Sequence, residues 1–117
     1  MIVEERIYTL HAGKAAQYLK LYEQEGLAVQ RPILGNLVGY YSTEIGPLNV
    51  VVHMWAYEDL ADRTRRRAQL TADARWQAYV PKIAPLMQHQ ENRILNPASF
   101  FEPTLRAMLA AAPPATR

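Results

Sequence analysis

The sequence predicts an α+β fold of the ferredoxin-like type, a split βαβ unit with helices on one face of a single sheet. Three observations carry that expectation. The predicted elements run β-α-β-β-α-α-β along the chain. Two of the strands meet across the turn Gly46-Pro47 and so make a hairpin. The strand after that turn, residues 48–57, suits open water on neither side: Leu48, Val50, Val52, Met54 and Ala56 alternate with Asn49, Val51, His53, Trp55 and Tyr57.

The elements follow in order. IVEERIYTL, from residue 2, alternates residue types and reads as a strand, broken by HAGK. Residues 14–30 place Ala15, Tyr18, Leu19, Tyr22 and Val29 at helical spacing, and Pro32 is expected to end that helix. NLVGYYSTEIG is rich in β-formers, and LNVVVHMWAY is its hairpin partner. Asp59 is placed to cap a helix over residues 60–70. Thr71 is placed to cap another, on which Trp76, Tyr79, Val80, Ile83 and Met87 share a face and which Pro81 should kink or interrupt. MQHQENRIL is polar but alternating, as an edge strand would be. The domain is assigned to residues 1–103. Residues 104–117 carry no core-forming pattern and read as a mobile tail, with a short helix over 104–111 as the alternative.

Helices on one face leave the other face of the sheet to be covered. Since neither side of residues 48–57 suits water, a second copy of the same sheet is the simplest cover, and a face-to-face homodimer with a closed, isologous interface is expected.

Bulk composition narrows the function. A chain of 117 residues, half of them apolar and 21% charged, is one globular domain. Thirteen basic against eleven acidic residues give a net charge of +2, too balanced for a nucleic-acid binder. The absence of cysteine excludes disulfides and thiolate chemistry and suits a reducing, cytoplasmic setting. No apolar run is long enough to span a membrane, and strand residues from Ile2 leave no room for a leader.

ERIYTL, the long block LGNLVGYYSTEIGPLNVVVHMWAYEDLADRTRRR and QENRIL together closely resemble the NIPSNAP family over residues 4–97. The positions that carry the match include Glu4, Arg6, Tyr8, Gly39, Tyr40, His53, Trp55, Tyr57, Asp62, Arg63, Arg66, Arg67, Glu91 and Asn92; Glu5 departs from it, where an apolar residue is more usual. The resemblance implies a dimeric α+β barrel. It implies no assigned reaction. The mitochondrial roles of animal relatives are not carried over to this chain.

Glu4, Arg6 and Tyr8 share one face of the first strand. An acid and a base together on a covered face are costly unless paired. They could line a pocket in which Arg6 binds an anion and Tyr8 donates a proton, or they could form an internal salt bridge. His53 could serve as a general base, could ligate haem iron as the related barrel architecture sometimes does, or could be a core histidine. No other metal pattern is present and no cofactor is expected.

With about 100° between successive helix residues, Leu60, Ala61, Thr64 and Ala68 are expected to face inward. On that wheel Arg66 points outward, and Arg63 and Arg67 either reach over the end of the sheet towards a carboxylate or phosphate or pair with Glu58, Asp59 or Asp62 on the helix surface. Trp55, with Trp76, Tyr18 and Tyr22, reads as core or as the wall of an aromatic pocket, Tyr40 is an alternative proton donor to Tyr8, and Glu91 could complete the polar face. These residues support a small-molecule site between sheet and helices, with acid–base or cofactor-independent oxygenase-type chemistry. The alternative is a non-catalytic homodimeric interaction module.

Overall fold

The computed structural model describes residues 1–113. Residues 114–117 of the expected tail lie outside the described residues. The elements are β1 (Ile2–Leu10), α1 (Ala15–Leu21), α2 (Leu27–Leu34), β2 (Asn36–Ser42), β3 (Val50–Tyr57), α3 (Leu60–Ala72), α4 (Ala74–Ile83), β4 (Met87–Leu95) and α5 (Glu102–Ala111). The four strands form one antiparallel sheet in the order β2-β3-β1-β4, which is the ferredoxin-like arrangement the sequence predicts. Residues 104–111, read as tail or as short helix, lie in α5.

A single helix is predicted between β1 and β2, and the chain instead makes two, joined without a break by a π turn over Tyr22–Gly26. Gly26 is required there: a Cβ would lie 2.8 Å from the Tyr22 ring and 2.9 Å from that of Tyr79. Pro32 does not stop α2. It sits in the last turn, where it forgoes one i→i−4 hydrogen bond without breaking the helix, and the helix ends at Gly35, whose φ of 93° no side-chain-bearing residue adopts readily. Pro81 likewise lies in the last turn of α4, which continues to Ile83.

Asp59 caps α3, accepting from the Asp62 amide at 2.7 Å. Thr71 does not cap α4. α3 runs two residues further than expected, and the cap is Asp73, which accepts from the Arg75 amide at 2.8 Å. Thr71 instead donates back to the Arg67 carbonyl.

Strand parity settles which face of the sheet meets the helices. Tyr8 lies opposite Val51, Arg6 opposite His53 and Glu4 opposite Trp55, so the even residues of β1 and the odd residues of β3 share the helix side. The mixed aromatic and polar set of β3 is therefore buried beneath the helices. Tyr8, Leu10, Tyr18, Tyr22, Val51, Tyr79, Ile83 and Leu86 make one core there, and Val29, Ile33, Leu34, Trp55, Tyr57 and Leu70 a second. On the far side, α5 packs Leu105 against Val3 and Ala56. The rest of that face, including Ile7, Val50 and Val52, is only half-buried.

Candidate functional site

β1, β3 and α3 bring a group of ionisable side chains together between the two cores. Its centre is Glu4, fully buried on β1. Its Oε2 accepts from Arg63 Nη2 at 2.7 Å, from Asn92 Nδ2 at 2.9 Å and from Arg6 Nη1 at 3.1 Å. Burial alone would raise the Glu4 pKa, but the Arg63 and Asn92 hydrogen bonds and the charges of Arg6 and Arg67 bring it down to about 2. Glu4 is a carboxylate at every physiological pH.

Arg6 also donates from Nε to the Tyr8 hydroxyl at 3.0 Å. His53 is 1% exposed, and its Nδ1 accepts from Trp55 Nε1 at 2.8 Å. Burial, followed by the charges of Arg6 and Arg67, lowers the His53 pKa to about 3, so the imidazole is neutral. Tyr40 stacks on His53 with centroids 4.6 Å apart and shares a 2.6 Å hydrogen bond with Tyr18. Burial raises the pKa of Tyr40, Tyr18 and Tyr57, keeping all three phenols protonated.

The α3 arginines sort differently from the helical wheel. Leu60, Ala61, Thr64 and Ala68 are exposed, and the inward residues are Asp62, Arg63, Arg66, Arg67 and Leu70. Buried carboxylates, not apolar side chains, set the orientation of this helix. Asp62 accepts from Arg65 at 2.6 Å and from Arg66 at 2.9 Å, and Arg66 also donates to the Ile33 carbonyl at 3.1 Å. Arg66 thus faces inward, contrary to expectation, and locks α3 to the end of α2. Arg67 lies near Glu4, His53 and Tyr57, close enough for its charge to act on all three.

Six buried polar atoms find no hydrogen-bond partner among the described residues: Glu4 Oε1, His53 Nε2, Tyr57 Oη, Arg63 Nε, Arg67 Nη1 and Tyr79 Oη. All but one can donate. Each such group costs about 1–3 kcal/mol when left unsatisfied. Arg6 and Arg63 keep side-chain exposures of 16% and 24% beside the exposed strand β4, so the cluster reaches solvent on that side.

Of the residues singled out from sequence, Arg6, Tyr8, Tyr40, His53, Trp55, Arg63 and Arg67 are on the helix side of the sheet or in α3 above it. Glu91 is not with them. It pairs with Ile7 on the opposite face and is exposed, 3.8 Å from His89. Asn92, one residue on, occupies the position facing Glu4. Asn92 and Tyr57 belong to the cluster and were not picked out as site residues; strand parity, which aligns both with Arg6 and His53, is the signal that could have found them.

A haem iron does not fit His53. A ligating histidine binds through one nitrogen and donates from the other, whereas here Nδ1 accepts from Trp55. Among the described residues no group of three or more His, Cys, Asp or Glu could hold a metal ion, and no helix is long and apolar enough to cross a membrane.

The fold and the site define an α+β protein whose antiparallel sheet carries a buried, arginine-rich polar cluster. The NIPSNAP family model matches residues 3–102, and the chain belongs to that family. Protein NipSnap homolog 3A of Homo sapiens is 37% identical over 94 residues, covering 78% of this chain. The chain spans only 37% of that relative's length. A NIPSNAP family protein from Agrobacterium tumefaciens superposes with a TM-score of 0.83 at 56% identity, covering 85% of this chain and 94% of that one. An antibiotic biosynthesis monooxygenase shares the fold alone, with a TM-score of 0.59 at 15% identity, covering 84% of this chain and 99% of that one.

Proposed function

We propose that this chain is a homodimeric small-molecule binding domain whose cluster between sheet and α3 takes an anionic ligand through a carboxylate, enolate or similar oxyanion. The observation that carries this reading is a charge imbalance. Three guanidiniums, those of Arg6, Arg63 and Arg67, surround the single carboxylate of Glu4 beside a neutral histidine, leaving 3 − 1 = 2 positive charges. The Arg67 Nη1 and His53 Nε2 atoms are buried donors that make no hydrogen bond among the described residues. An oxyanion would satisfy both and offset the charge. Donors fixed around such an oxygen are also what acid–base or cofactor-independent oxygenase-type chemistry on an enolate requires.

The dimer reading rests on the far face of the sheet. α5 covers Val3 and Ala56 but leaves Ile7, Val50 and Val52 half-exposed and Tyr41 59% exposed, an apolar strip that a second copy of the sheet would bury.

A second reading, a non-catalytic interaction module, draws support from the near-complete burial of Glu4 and His53. Thermal-shift and calorimetric titrations with acetate, benzoate and inorganic phosphate separate the two. The binding reading predicts that at least one anion raises Tm in the native chain and fails to do so in Arg67→Met. If none of the three binds, the cluster is structural and the module remains.

A further inference from the structure

Trp55 does more than fill space. It is fully buried among Val29, Ile33, Leu34, Tyr57 and Leu70, where a phenylalanine or leucine would serve the packing. What only tryptophan adds is the indole N–H, aimed at His53 Nδ1 at 2.8 Å with the two rings perpendicular. An indole nitrogen can only donate, so Nδ1 must be the unprotonated nitrogen. A neutral imidazole carries one proton, which therefore sits on Nε2.

The ring cannot turn away from that arrangement. Tyr40 stacks on one face at 4.6 Å, and the Tyr8 ring meets His53 edge-on at 4.7 Å. The Nε2–H vector is thereby fixed, buried and without an acceptor among the described residues. The charges of Arg6 and Arg67 act on the ring and outweigh the opposing charge of Glu4, so an oxygen accepting from Nε2–H would lie in a net positive field.

We infer that Trp55 is a positioning residue that holds His53 as the Nε2–H tautomer, so that His53 serves the site as a neutral hydrogen-bond donor to an oxyanion rather than as a proton-abstracting base. The inference rests on the anion-site reading above and sharpens it. The ligand atom at Nε2 must be an acceptor, which admits a carboxylate or enolate oxygen and excludes an ammonium. Glu4 Oε1, an acceptor without a hydrogen-bond partner among the described residues, is the place for a donor on the same ligand.

The test is nitrogen-15 NMR of histidine-labelled protein, combined with benzoate, acetate and phosphate titrations of the native chain, Trp55→Phe and His53→Gln. The native protein should show His53 with Nδ1 unprotonated and Nε2 protonated, unchanged between pH 8 and pH 5. Trp55→Phe should lose that single-tautomer signature and bind the anion at least about fivefold more weakly. His53→Gln, which loses the Nε2–H that Trp55 fixes, should bind the anion at least as weakly as Trp55→Phe. An Nδ1–H tautomer or an imidazolium in the native chain overturns the inference even if anions bind, and so leaves the anion-site reading standing. The expected tautomer with no anion bound overturns the anion site and with it the donor role. The native tautomer measurement needs no variant, so a Trp55→Phe chain that fails to fold does not rescue the inference.

Discussion

Glu4 Oε2 and Arg63 Nη2 meet at 2.7 Å between the sheet and α3, joining residues 59 apart in the chain. Glu4 is fully buried and the Arg63 side chain is 24% exposed, so this ion pair ties α3 to the sheet across a boundary otherwise made mostly of aromatic and apolar contacts.

Removing the carboxylate should therefore cost more than losing one hydrogen bond. Glu4→Ala leaves Arg6 and Arg63 without their shared counter-charge, and breaking a buried pair from one side typically costs about 3–5 kcal/mol. Urea denaturation should show a lower midpoint of that order. A loss below 1 kcal/mol would mean that the arginines find solvent without Glu4.

Arg67→Met should behave in the opposite way. Arg67 Nη1 makes no well-formed hydrogen bond among the described residues, the Tyr57 hydroxyl being a polar neighbour of its side chain, and the change removes one of three crowded positive charges. Folding stability should stay within about 1 kcal/mol of the native chain or rise, while anion binding is lost. Joint loss of stability and binding would make Arg67 structural.

Stability should fall with acid in two stages. Burial, then Arg6 and Arg67, holds the His53 pKa at about 3, against 6.5 for a free histidine. Below pH 6.5 the unfolded chain takes up a proton that the folded chain refuses, so stability drops by about 1.4 kcal/mol per pH unit. Glu4 adds a second loss as pH falls from 4.5, its ordinary value, towards its folded value of about 2. Urea midpoints at pH 7.5, 6.0 and 5.0 measure the first stage, and His53→Gln should flatten it.

Gly35 closes α2 at φ 93°, and a Cβ there would lie 2.8 Å from Arg66 Nη1. Gly35→Ala should cost about 1–3 kcal/mol in backbone strain and displace the Arg66 guanidinium that grips the Ile33 carbonyl. Thermal denaturation reads the loss; an unchanged Tm would show that the turn relaxes freely.

Val52→Glu places a charge in the apolar strip of the far face without touching the helix-side cluster. Light scattering should give twice the 13.3 kDa chain mass for the native protein and the single mass for the variant. A native monomer would contradict the dimer reading.

The strand order, the hairpin and the edge character of β4 were legible because each rests on local pattern: alternation, turn residues and, at Asp59, a cap. What was illegible depended on buried charge. The α3 wheel was oriented by its small and apolar residues, a rule that holds when the partner surface is apolar. Here the partner surface presents Glu4, and Asp62 is itself turned inward, so the arginine side faces in and Leu60 is 57% exposed. Glu91 was placed in the polar face instead of Asn92 because parity in an edge strand means little until its register with β1 is known. The pairing of Trp55 with His53, two apart on one strand face, could have been read from parity alone.

The most direct test of the anion site is a crystal structure grown in benzoate, with density read beside His53 Nε2 and Arg67 Nη1. A bound carboxylate accepting from both atoms is the expected result. Ordered water alone there, with Glu4, Tyr57 and Arg67 all satisfied by it, would contradict the account and leave a structural polar core.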